Sequence, residues 1–159
     1  MLSFVIPAYN EAERLVSTLD SAIAFLDSRS WSYEIIVVND ASEDATAQLA
    51  ADAGATVIEV NKRQISAVRN AGAAVAVGDP IFFVDGDTFP DAKAVELALA
   101  ALQDGADGGG AFFRFDDAPL VPRMANSIGR RVARWLGICG GCFLFVTREA
   151  FDAVGGFDE

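Results

Sequence analysis

Two aspartates, Asp85 and Asp87, stand on either side of one glycine at the end of the apolar run 82–84. Like charges this close disfavour each other's ionisation unless a positive partner lies between them. That partner can be water with counter-ions at an ordinary turn, or a divalent metal ion. The chain has no histidine, so a metal here would be held by oxygen, which favours Mg²⁺ or Mn²⁺.

Polar and aromatic side chains also follow two earlier apolar segments. Pro7, Tyr9 and Glu11 come after the first segment, and Asp40 comes after the second. In open α/β sheets, ligands bind at the carboxyl ends of the strands, near the point where the strand order reverses. The helix after each strand also directs its positive N-terminus towards that edge. We therefore expect these residues and the two aspartates to form one site.

The elements that would position this site alternate between strand and helix. Apolar and β-branched runs predict strands over residues 2–6, 33–38, 56–60 and 80–84. Helical spacing and capping residues predict helices over residues 11–28, 42–54, 65–78 and 91–102, with Ser42 as the N-cap of the second. This alternation predicts an α/β fold with a mostly parallel, doubly wound sheet.

The pattern changes after Gly105. We divide the chain into a nucleotide-binding half, residues 1–104, and a smaller element of the same domain, residues 105–159. In the second part, residues 111–115 and 143–146 are predicted strands, and Gly108 to Gly110 is interpreted as a flexible connection.

A predicted helix between these two strands has one basic face. This face consists of Arg123, Arg130, Arg131 and Arg134. It is either a solvated surface or a site of peripheral contact with anionic lipid or a phosphate-bearing acceptor. Cys139 and Cys142 form a lone C-x-x-C pair, which we interpret as buried or incidental thiols.

The net charge and the hydropathy of the chain limit which partners and which cellular location we expect. A net charge of −11 argues against a nucleic-acid-binding protein. The first residues lack the basic segment of a secretory signal, and no apolar run reaches the roughly 18 residues of a spanning helix. We therefore expect a cytoplasmic protein, with peripheral membrane contact as an open alternative.

Four segments, FVIPAYNEA, VVNDASEDAT, AVRNAG and FFVDGDT, occur in this order and resemble family 2 glycosyltransferases of the GT-A fold. The stretch GGCFLFVTREAFDAVGGFDE resembles the acceptor-side segment of the same family. The likeness covers essentially the whole chain. It implies a Rossmann-like GT-A domain that moves a sugar from a nucleoside-diphosphate donor, typically linked to UDP, to an acceptor hydroxyl with inversion at the anomeric carbon.

The resemblance also implies roles for the residues at the strand ends. Pro7, Tyr9 and Glu11 would border the nucleoside, with Tyr9 stacking near the base. Asp40 would accept a hydrogen bond from the base.

For the rest of the donor, the resemblance places Arg69 near the base or the diphosphate. Asp85 would face the ribose or the water shell of the metal, and Asp87 would bind Mg²⁺ or Mn²⁺. Gly86 would keep side-chain bulk away from the bound donor.

The catalytic base is where the sequence departs from the family pattern. In the family, the base usually lies in an acidic motif beyond a GGFDE-like stretch, and this chain stops at Glu159, inside that stretch. Either the base lies beyond Glu159, which we favour, or Asp158 or Glu159 takes its place, with Asp158 as the candidate.

Two other functions remain as alternatives. A nucleotidyltransferase would show a glycine-rich, basic loop after the first strand, and PAYNEA is not such a loop. A module that binds a nucleotide sugar without transferring it would lack the base. The acceptor stays open among a saccharide, a lipid-linked molecule and a small molecule, and the oligomeric state is also open, a homo-oligomer included.

Overall fold

The computed structural model describes residues 1–87, 92–111 and 143–159. Its strands are β1 (Leu2–Ala8), β2 (Tyr33–Asp40), β3 (Thr56–Val60), β4 (Ile81–Val84), β5 (Gly108–Gly110) and β6 (Phe143–Val146). The helices are α1 (Ala12–Ser28), α2 (Thr46–Asp52), α3 (Ile65–Val75), α4 (Ala92–Gln103) and α5 (Arg148–Val154).

The strands form one sheet in the order β3-β2-β1-β4-β6-β5. The first four pair in parallel, whereas β6 runs antiparallel to both β4 and β5. The strand order reverses between β1 and β4, which is where α/β sheets of this kind bind ligands. The predicted α/β fold with a mostly parallel sheet is confirmed.

The core lies on both faces of the sheet because successive strand residues point to opposite sides. Phe82 stacks on Phe4 at 4.8 Å between ring centroids, on the face covered by α1 and α4. Its neighbour Phe83 packs on the other face, in the cluster that includes Val68 of α3.

Gly72 allows α3 to approach the sheet closely. A Cβ atom added there would lie 2.2 Å from Cγ1 of Val5 and 2.9 Å from Cγ2 of Val38, a distance at which side chains overlap. A larger residue would therefore push α3 away from β1 and β2. Arg69 lies three residues earlier on α3, so this close approach also determines how near Arg69 comes to the end of β4.

Several predicted boundaries are wrong by a few residues, and two of them concern the loops beside the sheet edge. β1 continues through Pro7 to Ala8, where it still pairs with β2. α2 begins at Thr46 and not after Ser42. The Ser42 hydroxyl instead accepts a hydrogen bond from the Asn10 amide at 2.9 Å, and Ala41 adopts φ 54°, so the chain here connects two loops before the helix starts.

The interpretation of Gly108 to Gly110 as a flexible connection is wrong, because these residues are the edge strand β5. A Cβ atom on Gly109 would lie 2.8 Å from Cζ of Phe145, and one on Gly108 would lie 2.6 Å from the Phe145 carbonyl oxygen. Glycine is thus required for β5 to pair closely with β6. The amide of Ala111, directly after the strand, still donates to the Phe143 carbonyl oxygen of β6 at 3.0 Å.

Several predictions lie outside the described residues. They are the continuation of the expected strand over 112–115, the helix between the two late strands, the thiols Cys139 and Cys142, and the basic face of Arg123, Arg130, Arg131 and Arg134. Within the described ranges, no helix has both the length and the apolar character needed to cross a bilayer.

Candidate functional site

A cleft of about 560 Å³ opens at the carboxyl ends of β1, β2 and β4, beside the reversal in strand order. Seven of the residues singled out in the sequence line it: Pro7, Tyr9, Glu11, Asp40, Asp85, Gly86 and Asp87. The structure therefore brings the three predicted strand ends together. The cleft wall also contains residues that the sequence analysis did not identify, namely Arg63, Gln64, Ile65 and Val68.

The two aspartates that follow β4 each have an arginine nearby. Nη2 of Arg69 lies 3.2 Å from Oδ1 of Asp85, and Nη1 of Arg14 lies 3.9 Å from Oδ2 of Asp87. The first pair is the more sheltered, since the Arg69 side chain is 11% exposed and that of Asp85 is 37% exposed. The carboxylates are thus partly balanced by guanidinium groups of the protein itself.

The environment of Asp85 disfavours its charge in the protein alone. Burial raises the pKa of Asp85 above its usual range, and the neighbouring Asp87 raises it further, while the Arg69 guanidinium opposes both effects. A cation added beside Asp85 would favour the ionised carboxylate.

The donor set at this end of the cleft suits a metal ion that shares its coordination with a ligand. In the described ranges, no cluster of three or more acidic or cysteine side chains could enclose a metal ion. Mg²⁺ commonly binds one or two carboxylates and completes its shell with water and substrate phosphates. The carboxylates of Asp85 and Asp87, on the wall of an open cleft, fit that pattern.

Gly86 lies between these carboxylates and packs against the first strand. A Cβ atom there would lie 3.3 Å from the carbonyl oxygen of Pro7. The described neighbour that constrains this position is therefore the backbone of β1.

Asp40 is buried at the end of β2, where it holds the loop between β3 and α3. Its side chain accepts hydrogen bonds from the backbone amides of Lys62, at 2.6 Å, and Arg63, at 2.9 Å. The residue is 7% exposed and still contributes to the cleft wall. Its position matches the sequence prediction, and the structure adds that both carboxylate oxygens already have partners.

Arg63 is a cleft residue that the sequence analysis missed. Its Cζ atom lies 4.3 Å from the ring centroid of Tyr9, a cation–π contact, and its backbone adopts φ 53°. Tyr9 itself is 44% exposed, so its ring is accessible for stacking. The adjacent basic residues Lys62 and Arg63, placed between a strand and a helix of an acidic chain, were the signal that could have identified this position.

The loops after β1 and β2 are joined by hydrogen bonds that fix the residues on the cleft wall. Asn10 donates its backbone N–H to the Ser42 hydroxyl, and its side-chain oxygen accepts from the Glu43 amide at 2.9 Å. The Glu11 amide donates to Oγ1 of Thr46 at 2.9 Å. Asn10 and Glu11, which follow Tyr9, are therefore held by residues 42–46 as well as by their own loop.

Asp44 links the same two loops by capping two helices. Its Oδ2 accepts from the Ala12 amide of α1 at 3.2 Å, and its Oδ1 accepts from the Thr46 amide of α2 at 3.0 Å. The Thr46 hydroxyl also donates to Oδ1 of Asp44. This hydrogen bond is the main cause of the lowered pKa of Asp44, and those from the Thr46 and Ala12 amides lower it further.

We expect Asp44→Asn to destabilise the protein in a pH-dependent way. Because the pKa of Asp44 is lowered in the folded state, its contribution is fully present above the unfolded pKa of about 4 and is lost as the pH falls through the folded value. Urea unfolding from pH 7 to pH 2.5 should show a gap between parent and variant that closes in acid. A gap that stays constant across this range would contradict the capping role.

The C-terminal residues lie beside α3. The side chain of Asn70 donates to the Phe157 carbonyl oxygen at 2.9 Å and accepts from the Phe157 amide at 2.9 Å, and it also donates to Oε1 of Glu159 at 3.0 Å. These hydrogen bonds anchor the segment to α3. Asp158, the candidate base, is exposed and is not among the residues that line the cleft.

Residues 3–155 match the sequence profile of Glycosyl transferase family 2. A dolichyl-phosphate beta-glucosyltransferase of Drosophila melanogaster is 37% identical over 64% of this chain and 36% of its own length. Glycosyltransferase AglE of Haloferax volcanii is 28% identical over 98% of this chain and 55% of its own length. The chain thus spans only about a third to a half of the length of these relatives.

Two solved structures share the fold over nearly the whole chain. Mannosyltransferase PcManGT from Pyrobaculum calidifontis, in complex with GDP-Man and Mn²⁺, superposes with a TM-score of 0.79 at 23% identity, covering 99% of this chain and 47% of that one. Glucosyl-3-phosphoglycerate synthase from Mycobacterium tuberculosis, in complex with Mn²⁺, UDP and phosphoglyceric acid, gives a TM-score of 0.69 at 25% identity, covering 94% and 56%.

Proposed function

The chain belongs to Glycosyl transferase family 2, and we propose that it binds a nucleoside-diphosphate sugar with a divalent metal ion and transfers the sugar to an acceptor. The observation that carries this proposal is the cleft at the β1/β4 reversal, where an exposed aromatic ring, a buried acid and a pair of carboxylates share one wall. Its volume of about 560 Å³ lies within the usual range for small-molecule sites.

The nucleoside would occupy the part of the cleft between Tyr9 and Asp40. The exposed Tyr9 ring offers a stacking surface, and Asp40 supplies the negative charge that a base N–H group would favour. We propose a uridine nucleotide as the donor. This choice is supported by the resemblance of the motifs to UDP-dependent members of the family, and by the UDP bound to the mycobacterial synthase.

The diphosphate would lie towards Asp85 and Asp87, which would hold Mn²⁺ or Mg²⁺. The ion, when bound, would offset the charge that develops on the diphosphate as it leaves the sugar. Arg69, which lies behind the lining residues, would orient Asp85 through the 3.2 Å contact and place a positive charge beside the two carboxylates. Support for Mn²⁺ comes from its presence in both structural neighbours.

For the acceptor we propose a lipid-linked phosphate, in place of the hydroxyl that the sequence analysis expected. Relatives from fly and mouse are named dolichyl-phosphate glucosyltransferases, and one from Aeromonas hydrophila is named for undecaprenyl-phosphate. A phosphate monoester, with a second pKa of about 6, is already ionised at neutral pH. Its oxygen could attack without first losing a proton, so the exposed Asp158 would not be needed as a base.

In this displacement, a phosphate oxygen forms a bond to the anomeric carbon as the bond from that carbon to the diphosphate breaks. The bonding electrons leave with the diphosphate, and the configuration at the anomeric carbon inverts. The chain's own part is to stack and bind the nucleoside at Tyr9 and Asp40 and to hold the diphosphate end near Asp85 and Asp87.

The test is a transfer assay with radiolabelled UDP and GDP sugars, Mn²⁺ and two matched acceptors. Dolichyl phosphate and dolichol share the same tail and differ in the phosphate. We expect Mn²⁺-dependent transfer from a UDP sugar to dolichyl phosphate and none to dolichol. Transfer to dolichol or to a free saccharide would overturn the phosphate acceptor, and failure to bind any nucleotide sugar would overturn the function itself.

A further inference from the structure

We propose that Phe157 is a positioning residue of the donor site and that it acts through Arg69. The inference rests on the proposed function, since it concerns how the same cleft binds a diphosphate. Phe157 belongs to the C-terminal segment 155–159, which the resemblance assigned to the acceptor side. The proposal makes this segment a support for the donor side as well.

The guanidinium of Arg69 lies between an aromatic ring and a carboxylate. Its Cζ atom is 5.6 Å from the ring centroid of Phe157, and its Nη2 atom is 3.2 Å from Oδ1 of Asp85. A cation over an aromatic face is attracted by the ring, more strongly when both are sheltered from water. The Arg69 side chain is 11% exposed, so this contact is largely desolvated.

The ring of Phe157 is itself held from several directions. It meets Phe83 of β4 edge-on at 4.9 Å and an interplanar angle of 82°, and it meets Phe151 of α5 at 5.9 Å. The Asn70 amide also forms two hydrogen bonds with the Phe157 backbone. A ring fixed in this way can restrict the orientation of the guanidinium next to it.

Gly156 lets the segment come this close to α3. It adopts φ 83°, and a Cβ atom there would lie 2.7 Å from Oδ1 of Asn70. The adjacent residues Arg69 and Asn70 thus connect one turn of α3 both to Asp85 and to the C-terminal segment. Through this connection, the position of Phe157 affects Asp85, at the end of the cleft where we propose that the metal ion binds.

Without the Phe157 ring, the Arg69 side chain would be more hydrated and would sample more rotamers. Ordering the Arg69 side chain when a ligand binds would then cost conformational entropy. Asp85 would then be less well oriented, and the positive charge next to it less fixed. Because Asp85 faces the diphosphate end, the effect should fall on ligands that carry a diphosphate and not on the nucleoside alone.

The experiment compares the binding of Mn²⁺–UDP and of uridine to the parent and three variants by calorimetry and NMR titration. We expect Phe157→Leu to weaken Mn²⁺–UDP binding about three- to tenfold and to leave uridine binding unchanged. Phe157→Tyr, which keeps the ring, should bind as the parent does. Phe151→Leu is the comparison from the same ring cluster: it removes one support of the Phe157 ring but keeps that ring beside Arg69. It should therefore weaken Mn²⁺–UDP binding less than Phe157→Leu does and leave uridine binding unchanged, once the loss of folded protein, measured by thermal unfolding, is allowed for.

A double-mutant cycle with Arg69→Met tests whether the effect passes through Arg69. In that background, Phe157→Leu should have no further effect on Mn²⁺–UDP binding. An undiminished effect there, or equal weakening by Phe151→Leu or of uridine, would overturn the proposal. A parent protein that fails to bind Mn²⁺–UDP would overturn the proposed function, which is a different outcome from a parent that binds and a Phe157→Leu variant that binds equally well.

Discussion

Replacement of Asp87 by asparagine is expected to lower sugar transfer by at least about 100-fold, the scale on which loss of a preorganised charge contact acts on a reaction. The change removes one negative oxygen from the end of the cleft where we propose that the metal ion binds. A neutral amide is a weaker ligand for a hard divalent cation than a carboxylate is. Asp85→Asn should act in the same direction, because Asp85 lines the same wall.

The measurement is transfer from a UDP sugar together with calorimetry of UDP binding, each with Mn²⁺ and with a chelator. Asp20→Asn is the matched control, because Asp20 is exposed on α1 and its replacement changes the net charge by the same amount. We expect chelation to abolish UDP binding by the parent and by the control. UDP affinity that is equal with and without chelator would refute the metal role of both aspartates.

Asp40→Asn has the second-largest expected effect, a loss of about 1.5–3 kcal/mol in the binding of uridine nucleotides. Two losses contribute to this figure. First, the variant has no charged acceptor for a base N–H group. Second, its side-chain NH₂ replaces one of the two carboxylate oxygens that accept from the Lys62 and Arg63 amides, so one of these hydrogen bonds is lost. The loop that carries Arg63 to the Tyr9 ring would therefore loosen.

Arg63→Gly separates the two contributions. Glycine accepts the φ of 53° at this position, so the turn is kept while the guanidinium over Tyr9 is removed. Isothermal titration with UDP and urea unfolding of both variants provide the comparison. If Asp40→Asn is destabilised but binds UDP as the parent does, Asp40 supports the loop and does not contact the base.

The alternation of buried strands and amphipathic helices was sufficient to predict the sheet and the edge on which the cleft lies. Segments such as 35–38 and 81–84 are apolar throughout because both of their faces are buried, and this pattern can be recognised without coordinates. The carboxyl ends of parallel strands share one edge, so Tyr9, Asp40 and Asp85 could be grouped before their separations were known.

What the sequence did not predict depends on contacts between residues distant in the chain. Ser42 has the side chain of a helix N-cap, but a hydrogen bond from the Asn10 amide uses its hydroxyl elsewhere. Gly108 to Gly110 resembles a linker by composition but forms a strand through its pairing with β6, where Phe145 leaves no room for a Cβ atom. The contact of Phe157 with Arg69 joins the last described residues to a helix near the middle of the chain.

The antiparallel pairing of β6 with β4 has a consequence for folding during synthesis. About sixty further residues must be synthesised after β4 before β6 can pair with its outer edge. At roughly 5–20 residues per second, synthesis leaves that edge uncovered for about 3–12 s. All four residues of β4 are apolar and become fully buried in the folded protein. During this interval the nascent chain therefore exposes an apolar strand with an unpaired edge, which can pair with another chain and aggregate. Aggregation during synthesis should therefore depend on how fast the ribosome passes through the segment between the two strands.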